Sequence, residues 1–482
     1  MSSRVSVATP DALGGQWVPE LVLIQTAVSI PADLEIGLQT IRALFDSGAG
    51  DAAQLSTQCL IGLTGFIHEA LHFVQFTSRL QGIEYYSATN DLARASIHCF
   101  KQLVNCARSE GLTIGLPLAG FANLSHQEGP IAEIMAAWSS KYGIIETELA
   151  VGLRADSLWA KPDLLQALNL AGGRHFFPEL SLAPDGAGSS ADGQWLLTPQ
   201  RVLETEAAFG TLQLLATCFP DRQAEVVNGL HDDSSDDTRL CVHLMERGLA
   251  ALIPLLADFS MQCTWRNVAR GWDMQQCSVV WRFWNGLSAC ETYAGITLDE
   301  VYSRRNEILT HVEKELAVPA IQDDLAYWHK MITKGAAGGF DLEPSLRRLL
   351  VHNLRCRIEH PSWSTAPALW IDQILGTLCV PLVLFSHQGL SRNSDVLEIG
   401  IGEPLLSNDE RLELFLRGSW RWAGRELAVR RRKLRCPWCD VLFKWPSGCN
   451  GRCPFSNFLS EEFGFDPSTA EFVEMEDEDG RN

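Results

Sequence analysis

The sequence predicts a mainly α protein, with room for a small sheet that would make it α+β. Two observations carry this. Apolar residues recur at helical spacing in one segment after another, with proline, glycine and serine gathered between them. Alternating apolar and polar runs, the mark of a half-buried strand, are sparse. The 482 residues are 46% hydrophobic and include 15 tryptophans, ample for a large core. A prior of roughly 150 residues per domain gives two to four units.

In chain order, a short N-terminal strand precedes helical patterns at about 33–46, 53–80, 88–108, 130–142 and 160–170. The 53–80 segment contains no proline, and Gly82 stands where that helix would end. Residues Pro178 to Gln194 (PELSLAPDGAGSSADGQ) read as a linker. Helical spacing resumes at about 199–218, 238–259, 275–296, 299–316, 321–333, 344–356, 367–385 and 408–434. Three regions result: residues 1–178, a helical region 195–430, and a cysteine-rich end with an acidic tail, 431–482.

The 53–80 helix carries chemistry. Leu60, Ile61, Leu63, Phe66, Ile67, Leu71, Phe73, Val74 and Phe76 cover nearly all its sides, so it is buried. Yet it holds His68-Glu69-Ala70-Leu71-His72. Histidines four apart project from one face of a helix, one turn above the other. Both imidazoles can then hold one Zn²⁺ at roughly 2.0–2.1 Å. Glu69 is placed to take a proton from water on that metal, whose pKa falls towards roughly 7. The bland alternative is a core helix whose histidines hydrogen-bond to backbone or carboxylates.

Gly65-x-x-His68-Glu69-x-x-His72 resembles the active-site helix of the zincin metallopeptidases. Ala70 stands where that pattern usually has a larger apolar residue. The resemblance implies a zincin-like catalytic core, with a small sheet edge beside this helix to hold an extended substrate. It covers this helix and one more at most.

A catalytic zinc generally takes three protein ligands plus water. The metzincin branch places a third histidine six residues after the second; here that position is Ser78, and the glycine expected three after His72 is Gln75. The gluzincin branch instead takes a glutamate from a later helix. Glu204-Thr205-Glu206-Ala207 fits, in a segment where Thr198 suits an N-cap and Pro199 the first helical position. The string resembles a Glu-x-Glu-Ala-Asp helix whose first glutamate binds the metal, although Ala208 replaces the aspartate. Glu204 is therefore the expected third ligand, with Glu206 and Glu291 (in Glu291-Thr292-Tyr293-Ala294) as alternatives. Tyr293, Tyr302, His243 and His311 are candidates to stabilise an oxyanion, and spacing does not choose among them. A di-iron reading of Glu69-x-x-His72 would need a second Glu-x-x-His, and the chain has none.

A second metal site is expected near the C-terminus. Cys436-x-x-Cys439 and Cys449-x-x-x-Cys453, with Pro437, Pro446, Gly448 and Gly451 between and beside them, form a four-cysteine knuckle. Four thiolates close a tetrahedral zinc with no open position, so this zinc would be structural; in an oxidising compartment the pairs could instead be disulfides. The other ten cysteines lie singly in apolar stretches, as small buried hydrophobes do.

Net charge is −20 and the pI about 5.0, which disfavours non-specific nucleic-acid binding. One basic run opposes that average: Arg417, Arg421, Arg425, Arg430, Arg431, Arg432, Lys433 and Arg435 lead into the knuckle. A solvated helix face, paired with the acidic tail Glu474 to Asp479, is the simpler reading. The acidic loop His231 to Asp237 is read likewise as solvated. Leu21 to Ile30 is too short to span a membrane, and Leu369 to Phe385 is interrupted by Asp372, Gln373 and Pro381. No secretory signal is evident at the N-terminus. The expectation is a cytoplasmic zinc metallopeptidase acting on a protein or peptide, with the knuckle available to a protein partner. A non-catalytic interaction protein built on the same helix is the alternative.

Overall fold

The computed structural model describes residues 16–18, 23–26, 56–110, 199–222, 244–378 (apart from 274 and 369), 382–385 and 396–397. It also describes single positions at 133 and 137 and between 406 and 418. These residues are mainly helical, with one small sheet. In the sheet, β1 (Gln16–Val18) pairs antiparallel with β2 (Leu23–Thr26). Strand β2 then runs parallel to a strand from far along the chain, Leu382–Phe385, with Ile24 opposite Val383.

Helix α1 (Thr57–Ser78) is the centre of the fold. Leu60, Leu63, Phe66, Ile67, Ala70, Leu71 and Phe73 are all buried on it, against β1 and β2 on one side and later helices on others. Its hydroxyls cannot reach water, so they bond one turn back. Thr64 donates to the Leu60 carbonyl (2.7 Å), Thr77 to Phe73 (2.8 Å) and Ser78 to Val74 (2.6 Å).

The chain bends at Arg79 and continues as α2 (Leu80–Glu110). Gly82 is therefore not a helix terminator, and the expected end there is corrected. It lies within the first turn of α2, where a Cβ would stand 2.2 Å from the Phe76 carbonyl oxygen. Glycine is needed for close approach at the bend, not for a left-handed cap. The 88–108 pattern is the continuation of this same helix.

Helix α3 (Pro199–Cys218) has the span the sequence predicts, with Pro199 at its first position. Thr198, its expected cap, lies outside the described residues. The 238–259 pattern resolves into a turn at 244–247, a 3-10 turn Ala250–Leu252, and α4 (Ile253–Met261), which Pro254 helps to start. Segment 275–296 shortens to α5 (Val279–Ala289) between two 3-10 turns. Segment 299–316 divides at Arg304 into α6 (Leu298–Ser303) and α7 (Arg305–Glu315), the first closed by a capping box of Thr297 and Glu300. Helix α8 (Ile321–Thr333) has the expected span, and α9 (Pro344–Glu359) runs three residues longer than expected.

The 367–385 segment is not one helix. Helix α10 (Ile371–Thr377) stops before Pro381, and Leu382–Phe385 is β3, followed by β4 (Val396–Leu397). Proline ends the helical ladder, and a short apolar run beyond it suits strand and helix alike by periodicity. The sheet order is β1-β2-β3-β4.

One hydrophobic cluster runs from Ile24 through α1, α3, α4 and α9 to Leu414. No helix among the described residues is long and apolar enough to cross a membrane. Cys218, Cys263, Cys277, Cys290 and Cys356 are free and buried, as small apolar side chains are. The helices expected near 33–46, 130–142 and 160–170, the linker, the loop 231–237 and the four-cysteine knuckle lie outside the described residues, apart from positions 133 and 137.

Candidate metal centre

Helices α1 and α3 pack closely because Gly210 on α3 has no side chain. A Cβ there would meet Leu71 Cδ1 at 3.0 Å and Ala368 Cβ at 3.1 Å. This approach brings Glu204 over the two histidines. His68 Nε2 and His72 Nε2 each lie 3.2 Å from the same oxygen, Glu204 Oε2, and 3.2 Å from one another. Among the described residues this is the one group of three or more ligating side chains within reach of a common ion. The His68 and Glu204 side chains are each 26% exposed and His72 only 8%, so the cluster has one side open to solvent.

The donor set fits zinc. Ligand atoms at roughly 2.0–2.1 Å from a tetrahedral ion are separated by about 3.3–3.4 Å. The observed triangle has edges of 3.2 Å. The bland alternative, histidines satisfied by a carboxylate, meets a difficulty here. If both Nε2 atoms carry protons, their mutual contact is repulsive. If one does not, its lone pair faces the ionised oxygen. With Glu204 ionised, no placement of protons makes all three contacts favourable, whereas a cation at the centre does.

Charge points the same way. Burial alone would lower the pKa of His72. The charge and hydrogen bond of Glu204, the charge of Glu69 and the bond to Gln75 outweigh it and raise the pKa to about 10. Burial would raise Glu204, but His72 and His68 hold it well below the ordinary carboxylate range. Without a metal, the site holds a proton where a cation would sit.

The rival ligands fall away. Glu206 points past the triangle and is buried between Gln75 Nε2 (2.9 Å) and the Arg79 guanidinium (2.5 Å). Glu291 is on an exposed turn, paired with Arg247 at 2.5 Å. Neither joins the cluster of His68, His72 and Glu204. Of the oxyanion candidates, Tyr293 packs on His311, which contacts the Ala289 carbonyl, and Tyr302 stacks on Trp370. None of these three hydrogen-bonds to or stacks on His68, His72 or Glu204, and His243 lies outside the described residues. Glu69 is half-buried beside His68 on α1, close enough for its charge to act on His72.

Sequence reasoning missed the support behind the triangle. His72 Nδ1 meets Gln75 Oε1 at 2.7 Å, and Gln75 Nε2 donates to the Leu203 carbonyl (3.1 Å) and to Glu206. Arg79 grips Glu206 and also Asp258 (3.2 Å), which Arg357 binds from α9. The signal was present: His68, His72 and Gln75 form a polar stripe at helical spacing on a mostly apolar helix, and Arg79 follows one turn on, at the bend. Gln75 thus gives His72 Nδ1, the ring nitrogen outside the triangle, a hydrogen-bond partner.

Compared with family models, curated proteins and solved structures, the chain matches none of them.

Proposed function

We propose that the protein is a zinc-dependent hydrolase of the gluzincin kind, most simply a peptidase. Its zinc would be held by His68, His72 and Glu204. The observation that carries this reading is the 3.2 Å triangle, completed by a glutamate 132 residues along the chain from His72. Zinc bound there would lower the pKa of water and polarise a peptide carbonyl.

The protein's own groups supply the rest. Glu69 accepts the proton of the attacking water at its carboxylate. As the C–N bond breaks, it passes that proton to the leaving amine. The open side of the cluster admits the substrate. The sheet packed against α1 offers an edge along which an extended peptide could lie. A second zinc in Cys436, Cys439, Cys449 and Cys453 is part of the proposal, as a structural or partner-docking module. A non-catalytic interaction protein would have no need of a carboxylate closing the histidine pair, and Glu204 favours the enzyme.

The test is zinc content by elemental analysis, in wild type and in a His68→Ala/His72→Ala variant. Two zincs falling to one support the histidine site. A zinc content unchanged by the mutation would sink the reading.

A further inference from the structure

We infer that Gln75 is a positioning residue that fixes which nitrogen of His72 faces the metal, and that Glu206 fixes Gln75 in turn. This rests on the zinc reading and deepens it.

The argument follows the hydrogen bonds inward. Glu206 is held by the Arg79 guanidinium at both carboxylate oxygens, so it can only accept. The Leu203 carbonyl also only accepts. Both lie within hydrogen-bond distance of one end of the Gln75 side chain, at 2.9 and 3.1 Å. That end must therefore be the amide NH₂, which has two protons for the two acceptors. The other end is the carbonyl oxygen, 2.7 Å from His72 Nδ1. An oxygen there requires Nδ1 to be the donor. A neutral His72 then carries its proton on Nδ1 and presents a lone pair at Nε2, the atom facing His68 and Glu204.

Arg79 is placed by more than Glu206. Its Nε lies 3.2 Å from Asp258, which Arg357 also binds. All of these side chains are buried, so water cannot substitute for any partner. The relay is directional: a cation at Arg79 selects an acceptor at Glu206, which selects a donor at Gln75, which selects the metal-binding tautomer of His72. Glu206, two residues from the ligand Glu204, is thus the outer support of the site.

The test compares wild type with Gln75→Met, which keeps the volume but cannot accept from Nδ1. Zinc affinity is measured by chelator competition, with circular dichroism to verify the fold. The variant should bind zinc at the histidine site about 10–100-fold more weakly. Wild-type affinity in a folded variant would overturn the inference. A second readout does not depend on the variant. In zinc-loaded wild type, long-range proton–nitrogen spectra should show His72 protonated at Nδ1; a proton on Nε2 would refute it. If the His68→Ala/His72→Ala variant binds as much zinc as wild type, the zinc reading itself has failed, and the inference with it.

Discussion

Asp258 on α4 and Arg357 on α9, 99 residues apart in the chain, form a doubly bonded ion pair in the core. Both side chains are almost wholly buried; Asp258 also lies 3.2 Å from Nε of Arg79, at the bend after α1, and accepts from Gln262 (3.1 Å). Burial would raise the Asp258 pKa, but Arg357, Arg79 and Arg305 lower it to about 2. The pair ties α4 to α9, next to the bend at Arg79 that follows α1.

Removing one partner leaves a buried charge uncompensated, which costs about 3–5 kcal/mol. Arg357→Met should lower the thermal midpoint by several degrees at neutral pH. The sign of the pH effect follows from the depressed pKa. The Asp258 contribution is fully present above about pH 3.8 and is lost as pH falls through about 2. The gap between wild type and variant in thermal scans should therefore stay constant from pH 7 to 5 and shrink below 4. A gap that widens on acidification would contradict the assignment.

Metal binding should release a proton. His72 is raised to about 10 without metal, so near pH 7.5 it is protonated. A ligand nitrogen must give up that proton to coordinate. Calorimetric titration of zinc into metal-free protein, in buffers of different ionisation enthalpy, should show close to one proton released for the histidine site. The His68→Ala/His72→Ala variant should lose that release. The same shift has a stability consequence of opposite sign to that of Asp258. The His72 side of its pair with Glu204 stabilises the metal-free protein fully below about pH 6.5 and is lost as pH rises through about 10, whereas the Glu204 side is lost on strong acidification.

Glu69→Gln should keep zinc and lose hydrolysis. The amide has nearly the carboxylate's shape but cannot take a proton from water. General-base catalysis is worth roughly 10²–10⁴-fold, so peptide hydrolysis should fall by at least that factor. Zinc content should remain that of wild type. A variant with full activity and full zinc would remove Glu69 from the mechanism while leaving the metal centre in place.

The histidine pair was legible in the sequence, because it is local, whereas the choice of Glu204 over Glu206 and Glu291 needed tertiary contact. The spacing of His68 and His72 is set by the helix alone, and the Glu204 helix has its predicted span. What was not legible depends on tertiary contact. Gly82 carries a glycine's usual terminating signal, yet the close approach to Phe76 explains it better. Leu382–Phe385 is too short and too uniformly apolar for periodicity to distinguish strand from helix; its pairing with β2 decides. The role of Gln75 is legible only once Glu206 and Leu203 are placed beside it.

The three glutamates proposed for one role should separate cleanly when each is changed to glutamine. Glu204→Gln removes the proposed ligand at one corner of the triangle, so zinc affinity should fall by more than the roughly 10–100-fold typical of losing an outer partner. Its effect on folding should be small, since the side chain is partly exposed and the histidines can bond to the amide or to water. Glu206→Gln should behave in the opposite way. It leaves the triangle intact but uncouples a buried guanidinium from its carboxylate, so the thermal midpoint should drop while some zinc binding survives. Glu291→Gln should do neither, because its pairing with Arg247 is at the surface and such pairs contribute about 0–1 kcal/mol. Chelator competition and thermal scans on the three variants test all of this. Equal losses of zinc affinity in the Glu204 and Glu291 variants would mean that the triangle is not the metal centre.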